Sequence, residues 1–475
     1  MRKKKNIVLQ NIRIEDYAAE GKSLARQEGK VIFVEGVVPG DTVDVRLTRS
    51  KKDWAEGTPL NFVSYSEDRV QPFCQHFGVC GGCQWQMLPY NKQLQYKQKQ
   101  VGDNLKRIGK VLLPEMLPIV GAAEDKYYRN KLEYTFSTKE YIPAQQFHKM
   151  KAEDVLPSDQ GYSEKALGFH AKGFFDKVVH IEKCWLQPEP TNEIRNAVRQ
   201  YAYENNLSFY DIRAHQGFLR TMQVRICRTG EVMVNLVVGE DSPKKLKGIL
   251  SFLEQTFPQI TTLLYTINLK KNDSMHDLDP VVYKGKGYVI EKLEDFSFKI
   301  GPKSFFQTNT AQGERLYQIT REFAELDGTQ TVYDLYCGTG SIGIFCSRGA
   351  KKIIGVEAID AAVQDARENA ALNNIKDAEF FSGDVIDVCN DEFFAQHGRP
   401  DVIITDPPRA GMHEKLVQKI LEIGAPLVVY VSCNPATQAR DLALLDAKYA
   451  VTKVQPVDMF PHTHHIENIV QLKLK

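Results

Sequence analysis

The sequence lacks three features that would assign a class of protein at once. It has no excess of charge of one sign, since 61 Lys and Arg against 60 Asp and Glu leave a net charge of +1; any nucleic-acid surface must therefore come from local clustering. It has no apolar run near the roughly 18 residues that cross a bilayer. Its basic start has no apolar core of signal-peptide length. We expect a cytoplasmic protein without a membrane partner.

A disulfide framework is also not expected. The chain has nine cysteines, an odd number, and a reducing compartment disfavours disulfides. Their grouping therefore indicates metal binding, catalysis or core packing. The composition, 43% hydrophobic and 25% charged, is that of a globular protein, and 475 residues are enough for two or three domains.

The sequence divides into three predicted domains. Residues 1–67 contain short alternating runs separated by turn signals, which predict a small β-barrel. Residues 68–294 open with a cysteine-rich loop and continue as a mixture of strands and helices. Residues 295–475 alternate strands with helices, a rhythm that predicts an α/β fold with a doubly wound parallel sheet and ligands at the carboxyl ends of its strands.

A glycine-rich turn in the third part predicts a nucleotide-like cofactor. The run DLYCGTGSIG, residues 334–343, contains G-x-G-x-x-G after a predicted strand, and Glu357 ends the next strand, where it could bind ribose hydroxyls. Both features suit a nicotinamide dinucleotide or S-adenosylmethionine. Acids at the strand ends, Asp334 and Asp406 (in D-P-P-R), suit a sulfonium or ammonium cation better than a pyrophosphate. S-adenosylmethionine is therefore favoured over a dehydrogenase cofactor.

A thiol at another strand end raises the question of nucleophilic catalysis. Cys433 follows an apolar run, in Ser-Cys-Asn-Pro, and could be packing or a nucleophile. Carbon 5 of a pyrimidine is too weak a nucleophile to take a methyl group unless a thiolate adds to C6. A base must then remove the C5 proton so that the thiol can leave. Glu467, among histidines and before the last predicted strand, could be that base.

The motifs of the last third resemble the RNA uridine-C5 methyltransferase family. These are FFQTN (305–309), DLYCGTG, DPPR, SCNP and FPHTHHIE (460–467), in the family's order. The resemblance implies an S-adenosylmethionine-dependent enzyme of class I fold, with Cys433 as nucleophile and Glu467 as proton acceptor. It implies that the cofactor is lined by Gln307, Tyr336, Glu357, Asp384 and Asp406. Uridine is favoured over cytidine, because the cytosine-C5 relatives usually carry a second cysteine near D-P-P and this chain does not.

Three further cysteines predict a metal site. Cys74, Cys80 and Cys83 form C-x5-C-x2-C in a glycine-rich loop, and a fourth ligand is needed; Cys184 is the natural candidate. The family resemblance implies a [4Fe-4S] cluster, while the spacing alone leaves zinc open. Other cysteines, at 227, 346 and 389, lie in apolar or helical surroundings and are predicted to be core thiols.

The resemblance also bears on the substrate. A TRAM-type barrel followed by a cysteine loop is similar to the layout of the family branch that modifies 23S rRNA. The resemblance implies that the partner is RNA and not DNA, and that the protein is a monomer. The alternatives are a tRNA uridine-C5 methyltransferase and an inactive RNA-binding factor in ribosome assembly. Basic segments that could contact the RNA backbone are residues 2–5, residues 46–52 of the barrel, and residues 92–107.

Overall fold

The first sheet belongs to the N-terminal part of the chain. The computed structural model describes residues 7–160, 162–163 and 165–475, so the predicted basic arm at residues 2–5 lies outside the described residues. Six strands form a sheet in the order β1-β5-β6-β4-β3-β2: β1 (Val8–Arg13), β2 (Asp16–Tyr17), β3 (Ser23–Gln27), β4 (Lys30–Val34), β5 (Thr42–Ser50) and β6 (Trp54–Ser64). Alternate residues such as Ile32 and Val34 are buried, as expected for half-buried strands.

The middle of the chain forms a seven-stranded sheet in the order β13-β12-β11-β10-β7-β8-β9. Its strands are β7 (Lys131–Ser137), β8 (Ala166–His170), β9 (Val178–His180), β10 (Leu219–Ile226), β11 (Val232–Val238), β12 (Ile260–Ile267) and β13 (Val281–Lys284). The helices of this part are α1 (Tyr90–Asn104), α2 (Ala144–Ala152), α3 (Thr191–Glu204) and α4 (Pro243–Thr256). A hairpin, β14 (Val289–Leu293) with β15 (Phe296–Ile300), follows.

The last part of the chain forms a sheet in the order β18-β17-β16-β19-β20-β22-β21. The first five strands are parallel, and β22 is antiparallel to both of its neighbours, β20 and β21. The strands are β16 (Thr331–Leu335), β17 (Lys352–Glu357), β18 (Ala378–Ser382), β19 (Val402–Thr405), β20 (Leu427–Ser432), β21 (Tyr449–Val457) and β22 (Glu467–Leu474). The helices are α5 (Thr310–Ala324), α6 (Ser341–Cys346), α7 (Asp360–Leu372), α8 (Val385–Val388), α9 (Asp391–His397), α10 (Glu414–Ile423) and α11 (Pro435–Leu445). The α/β class predicted from the sequence is confirmed, and the domain boundaries stay a prediction.

Shorter helical turns and the surrounding core complete the architecture. A π-helical turn, Leu105–Gly109, continues α1, and 3-10 turns lie at Ala19–Gly21, Pro157–Gln160 and Ser347–Gly349. The predicted core thiols Cys227, Cys346 and Cys389 are buried, which confirms that interpretation. Within the described ranges, no helix combines the length and the apolarity that a bilayer span requires.

A segment from the middle of the chain packs directly on the C-terminal sheet. The backbone N–H groups of Leu117 and Val120 donate to the carbonyls of Val454 and Pro456 in β21, each at 3.0 Å. Helix α1 and its π-helical turn pack against α11, which starts two residues after Cys433. The middle of the chain therefore contacts the C-terminal sheet at its β21 edge and through α11.

A fully buried ion pair joins α1 to the loop before β22. Lys97 Nζ lies 2.6 Å from Asp458 Oδ1, and both side chains are 0% exposed. Lys97 also donates to the carbonyl of Phe460, and the Tyr90 hydroxyl donates to Asp458 Oδ2. Burial lowers the pKa of Lys97, an effect that Asp458 opposes. The loop that leads to Glu467 is thus anchored by a buried ion pair whose two members are both hydrogen-bonded.

We expect Lys97→Met to destabilise the protein by about 3–5 kcal/mol, because it leaves the Asp458 carboxylate buried without its counter-ion. Chemical denaturation followed by circular dichroism measures this change. Lys99→Met is the matched control: it lies two residues further along α1, is half exposed, and pairs with Asp16 and Asp103 at the surface. Its expected cost is at most about 1 kcal/mol; equal costs for both variants would contradict the role given to the buried pair.

Candidate active site

The candidate site lies at the carboxyl edge of the parallel strands of the C-terminal sheet. Strands β17 and β19 flank β16 on opposite sides, so the chain crosses to different faces of the sheet on leaving this centre. Such a switch point opens a crevice at the strand ends. The loops after β16, β17, β18, β19 and β20 all begin at this edge.

The glycine turn after β16 is organised by Asp334. Its Oδ2 accepts from the N–H of Gly343 at 2.8 Å, while Oδ1 is buried and has no hydrogen-bond partner among the described residues. Gly340 has φ +74°, and a Cβ there would lie 3.0 Å from the side chains of Ala366 and Phe380. A side chain at position 340 would therefore strain the turn. The free Oδ1 leaves acceptor capacity for a ligand.

The next two predicted cofactor residues lie beside this turn. Glu357, at the end of β17, accepts from the N–H groups of Gly338 and Ile359 at 3.1 and 3.0 Å. Tyr336 has φ +61°, a left-handed conformation that is uncommon for a residue with a Cβ. Burial raises the pKa of its phenol, and the nearby carboxylates of Asp384 and Glu357 add to the effect. The three side chains therefore lie in one electrostatic environment.

Asp384 and Gln307, the remaining predicted cofactor residues on this side, each also have a structural role. Asp384 is the N-cap of α8 and accepts from the N–H of Ile386 at 2.9 Å. Gln307 is buried in the turn before α5, and its backbone carbonyl accepts a hydrogen bond from Asn130 Nδ2 at 2.9 Å. A Cβ on Gly313 of α5 would lie 3.0 Å from Gln307 Cβ, so that glycine leaves the space that Gln307 occupies.

The predicted nucleophile and base are neighbours in the β-ladder. Strands β20 and β22 are antiparallel, with Ser432 opposite Asn468, so Cys433 and Glu467 occupy the next position outward. The amide of Gln438 locks this end of the ladder: it donates to the carbonyls of Tyr430 and Asn468 at 2.9 and 3.1 Å and accepts from Asn468 Nδ2 at 2.7 Å. Glu467 is therefore held by paired backbone, and Cys433 directly follows the last paired residue of β20.

The D-P-P-R loop is tied to the turn that carries the thiol. The carbonyl of Arg409 accepts from Asn434 Nδ2 at 3.1 Å, and Arg440 Nη2 donates to the carbonyl of Ala410 at 3.1 Å. The Asn434 side chain also caps α11 by accepting from the N–H of Ala436. Two motifs that are 25 residues apart in sequence, at Arg409 and Asn434, are thereby fixed against each other.

The charges of the site indicate a binding place for a cation. Burial raises the pKa values of Asp334 and Asp406 to about 7, and for Asp334 the neighbouring Asp406 adds to the effect. Burial raises the pKa of Glu467 well above its ordinary value, and Asp406 adds to that shift too. A positive ligand among these carboxyl groups would stabilise their charged forms.

The same carboxyl groups also affect the pKa of the Cys433 thiol. Burial, together with the charges of Glu467 and Asp406, raises the pKa of Cys433 to about 12, and the charge of Arg409 opposes this shift. The ligand-free enzyme therefore holds Cys433 as a neutral thiol near neutral pH. A cation that offsets Asp406 would favour the thiolate.

One residue of the site escaped the sequence analysis. Tyr317, in the middle of α5, is fully buried and shares a 2.8 Å hydrogen bond with Ser341 at the start of α6. Burial raises its pKa, and the carboxylates of Asp406 and Asp334 contribute. An aromatic residue on the apolar face of a helix gives no sequence signal of this kind, because core residues have the same pattern.

The predicted metal-binding cysteines lie together in the central part of the molecule. All four line one cavity of about 300 Å³: Cys74, Cys80, Cys83 and Cys184. Burial raises the pKa values of Cys80 and Cys83 to about 12. Across the described ranges, no group of three or more His, Cys, Asp or Glu side chains is arranged to hold a single metal ion.

Fold and site together define a class of protein. The strand order, the glycine turn after β16 and the acidic crevice are those of a class I S-adenosylmethionine-dependent methyltransferase. The family model described as "tRNA (Uracil-5-)-methyltransferase" matches residues 282–475, and the model for the TRAM domain matches residues 8–60. An "Uncharacterized RNA methyltransferase" of Bacteroides thetaiotaomicron is 54% identical over 462 residues, 96% of this chain and 100% of the relative. A further one from Porphyromonas gingivalis is 47% identical over 466 residues, 97% of this chain and 98% of the relative.

The chain belongs to the RNA (uracil-5-)-methyltransferase family and is an S-adenosylmethionine-dependent enzyme. Among solved structures, it is similar to the Pyrococcus abyssi tRNA (uracil-54, C5)-methyltransferase in complex with S-adenosyl-L-homocysteine. That comparison has 28% identity and a TM-score of 0.75, and it covers 98% of this chain and 100% of the other. A tRNA enzyme thus shares the layout of the whole chain, so this layout does not separate an rRNA enzyme from a tRNA enzyme.

Proposed function

We propose that this protein transfers a methyl group from S-adenosylmethionine to carbon 5 of a uridine in RNA, through a covalent adduct with Cys433. The observation that carries the proposal is the ladder register, which sets Cys433 beside Glu467 at the rim of the acidic crevice. A thiol next to a carboxyl group is the pair that this reaction requires, since one adds to C6 and the other removes the C5 proton.

The proposed steps use the two side chains in turn. The target uridine leaves its stack to enter the crevice. The Cys433 thiol loses its proton to solvent, the Sγ thiolate bonds to C6, and the electron pair of the C5–C6 double bond moves to C5. Bound S-adenosylmethionine supplies an electrophilic methyl group, and C5 takes it as the bond from sulfur to methyl breaks. Glu467 then removes the C5 proton, the double bond forms again, and the bond from Sγ to C6 breaks.

The cofactor is held, in this proposal, by the residues around the glycine turn. Glu357 would bind the ribose hydroxyls through its remaining lone pairs, and Asp384 would lie near the adenine. Tyr336 and Gln307 would line the cofactor. Asp406 and the free Oδ1 of Asp334 would offset the positive charge of the methionine end.

The pKa values predict how cofactor binding depends on pH. Carboxyl groups with a pKa of about 7 are protonated below it and charged above it. Affinity for the cationic S-adenosylmethionine should therefore rise from about pH 6 to about pH 8, by about tenfold for each carboxylate that the ligand ionises. S-adenosylhomocysteine is the matched ligand, since it lacks only the sulfonium charge and its methyl. Calorimetric titration of both should show the steeper rise for S-adenosylmethionine; equal slopes would contradict the placement of the sulfonium.

We further propose that Cys74, Cys80, Cys83 and Cys184 bind a [4Fe-4S] cluster. Their four thiols line one cavity, which supports a shared group. Methyl transfer needs no electron, so these residues brace the fold in this proposal. The enzyme purified without oxygen should contain about four iron atoms per chain, and Cys184→Ser should lower the iron content; stoichiometric zinc instead would overturn the assignment.

The RNA substrate has two candidates. The resemblance noted in the sequence implies 23S rRNA, whereas the full-length similarity to the Pyrococcus abyssi tRNA enzyme, which shares the layout of the whole chain, favours tRNA. Tritium release from [5-³H]uridine-labelled 23S rRNA and tRNA decides between them, because replacement of the C5 proton frees the label as water. Methyl incorporation with the label retained would refute C5 chemistry. If no RNA gives either tritium release or methyl incorporation, the result would favour the inactive RNA-binding factor in ribosome assembly.

A further inference from the structure

A surface beside the cysteine cavity combines aromatic rings with lysines. We call the rings of Phe73, Tyr127 and Trp185 the aromatic platform. The ring centroids of Phe73 and Tyr127 lie 5.9 and 5.8 Å from that of Trp185. Tyr127 is 39% exposed, and the other two rings are half-buried. Lys183 Nζ lies 4.0 Å from the centroid of Trp185, and Lys126 Nζ lies 4.3 Å from that of Phe73.

The two lysines of this surface have no carboxylate partner. Neither ammonium forms a salt bridge within the part of the chain that the structure describes. The neighbouring acids are directed elsewhere, since Glu182 accepts from Gln75 at 2.9 Å and Asp125 approaches His462. Among the residues that the structure describes, these two charges contact aromatic rings and no carboxylate, an arrangement that leaves the ammonium groups available to phosphates.

The platform adjoins both the cysteine cavity and the loop that leads to Glu467. Phe73 and Trp185 directly adjoin Cys74 and Cys184, which both line the cavity. The N–H of Tyr127 donates to the carbonyl of Trp185 at 2.7 Å. Phe73 also contacts His462, five residues before Glu467, with ring centroids 5.1 Å apart.

We propose that the aromatic platform, with Lys126 and Lys183, binds single-stranded RNA next to the target uridine by stacking bases on its rings and pairing phosphates with its lysines. Every base has a π-face, so such a surface binds without reading the sequence. The position beside the loop that leads to Glu467 means that a strand held here would continue into the crevice. The inference rests on the proposed function for its substrate class and adds the place where the flanking strand binds.

Binding of a fluorescein-labelled oligouridylate to the full-length holoenzyme, measured by anisotropy at several salt concentrations, tests the proposal. Lys183→Ala should weaken binding by about 3–10-fold and reduce the slope of log K against log salt by about 0.7. Trp185→Ala should weaken it by about fivefold or more, and Trp185→Phe should restore much of the loss. Lys286→Ala is the matched control: Lys286 is also exposed and lies over an aromatic ring, that of Tyr288, in a different part of the molecule.

The possible results test RNA binding by the platform independently of the proposed methylation activity. If Lys183→Ala and Trp185→Ala bind the oligouridylate like the wild type, with the same salt slope, the platform does not bind RNA. Lys183 is exposed, so its variant decides the matter even if Trp185→Ala fails to fold. In methylation assays, the platform variants should raise KM for RNA and leave kcat near the wild-type value. A wild type that binds RNA and releases no tritium would refute the proposed function while leaving the platform measurement intact.

Discussion

Cys433→Ala is expected to lower uridine-C5 methylation by more than about 10⁴-fold, because in the proposed mechanism Cys433 is the group that activates C6. Tritium release and methyl incorporation should disappear together. RNA containing 5-fluorouridine gives a second measurement. The fluorine cannot be removed as the proton is, so the wild type should accumulate a covalent complex visible on a denaturing gel, and Cys433→Ala should form none.

The matched control for this variant is Cys389→Ala. That thiol is fully buried between α8 and α9, and the same atom is deleted. We expect the control to keep its activity and its covalent complex, with only a modest loss of stability. Residual methylation by Cys433→Ala close to that of the wild type would mean that the methyl group enters at another atom and that Cys433 is packing.

Glu467→Gln is expected to separate the two halves of the reaction. The amide keeps the shape of the side chain but cannot accept the C5 proton, so the methylated adduct on Cys433 should persist. Turnover should fall by about 10²–10⁴-fold. With ordinary uridine RNA, a single turnover should leave methyl-labelled RNA attached to the protein, and tritium release should be lost.

Glu325→Gln provides the control for Glu467→Gln. Glu325 pairs with Lys473 at the opposite end of β22, at 2.7 Å, so its loss tests the strand without touching the site. Stability should fall slightly, and both partial reactions should continue. If Glu467→Gln releases tritium at the wild-type rate, another group is the base and Glu467 has only a structural task.

The elements of the C-terminal fold could be predicted because local patterns specify them. Short apolar runs alternating with amphipathic segments predicted the parallel sheet, and G-x-G-x-x-G predicted the turn after β16. No local sequence pattern indicates that Cys433 and Glu467, which are far apart in the chain, lie close together. Only the antiparallel pairing of β20 and β22 sets them side by side.

The sequence by itself determined the class of chemistry, since a thiol at a strand end, strand-end acids and a glycine turn each follow from residue type and position. The tertiary structure decided what depends on distant parts of the chain meeting. It raised the pKa values of Asp334 and Asp406 to about 7 by burying them together, and it anchored the loop before Glu467 through Lys97. Burial and long-range pairing are properties of the folded chain, because neither desolvation nor a contact between residues 97 and 458 exists before folding.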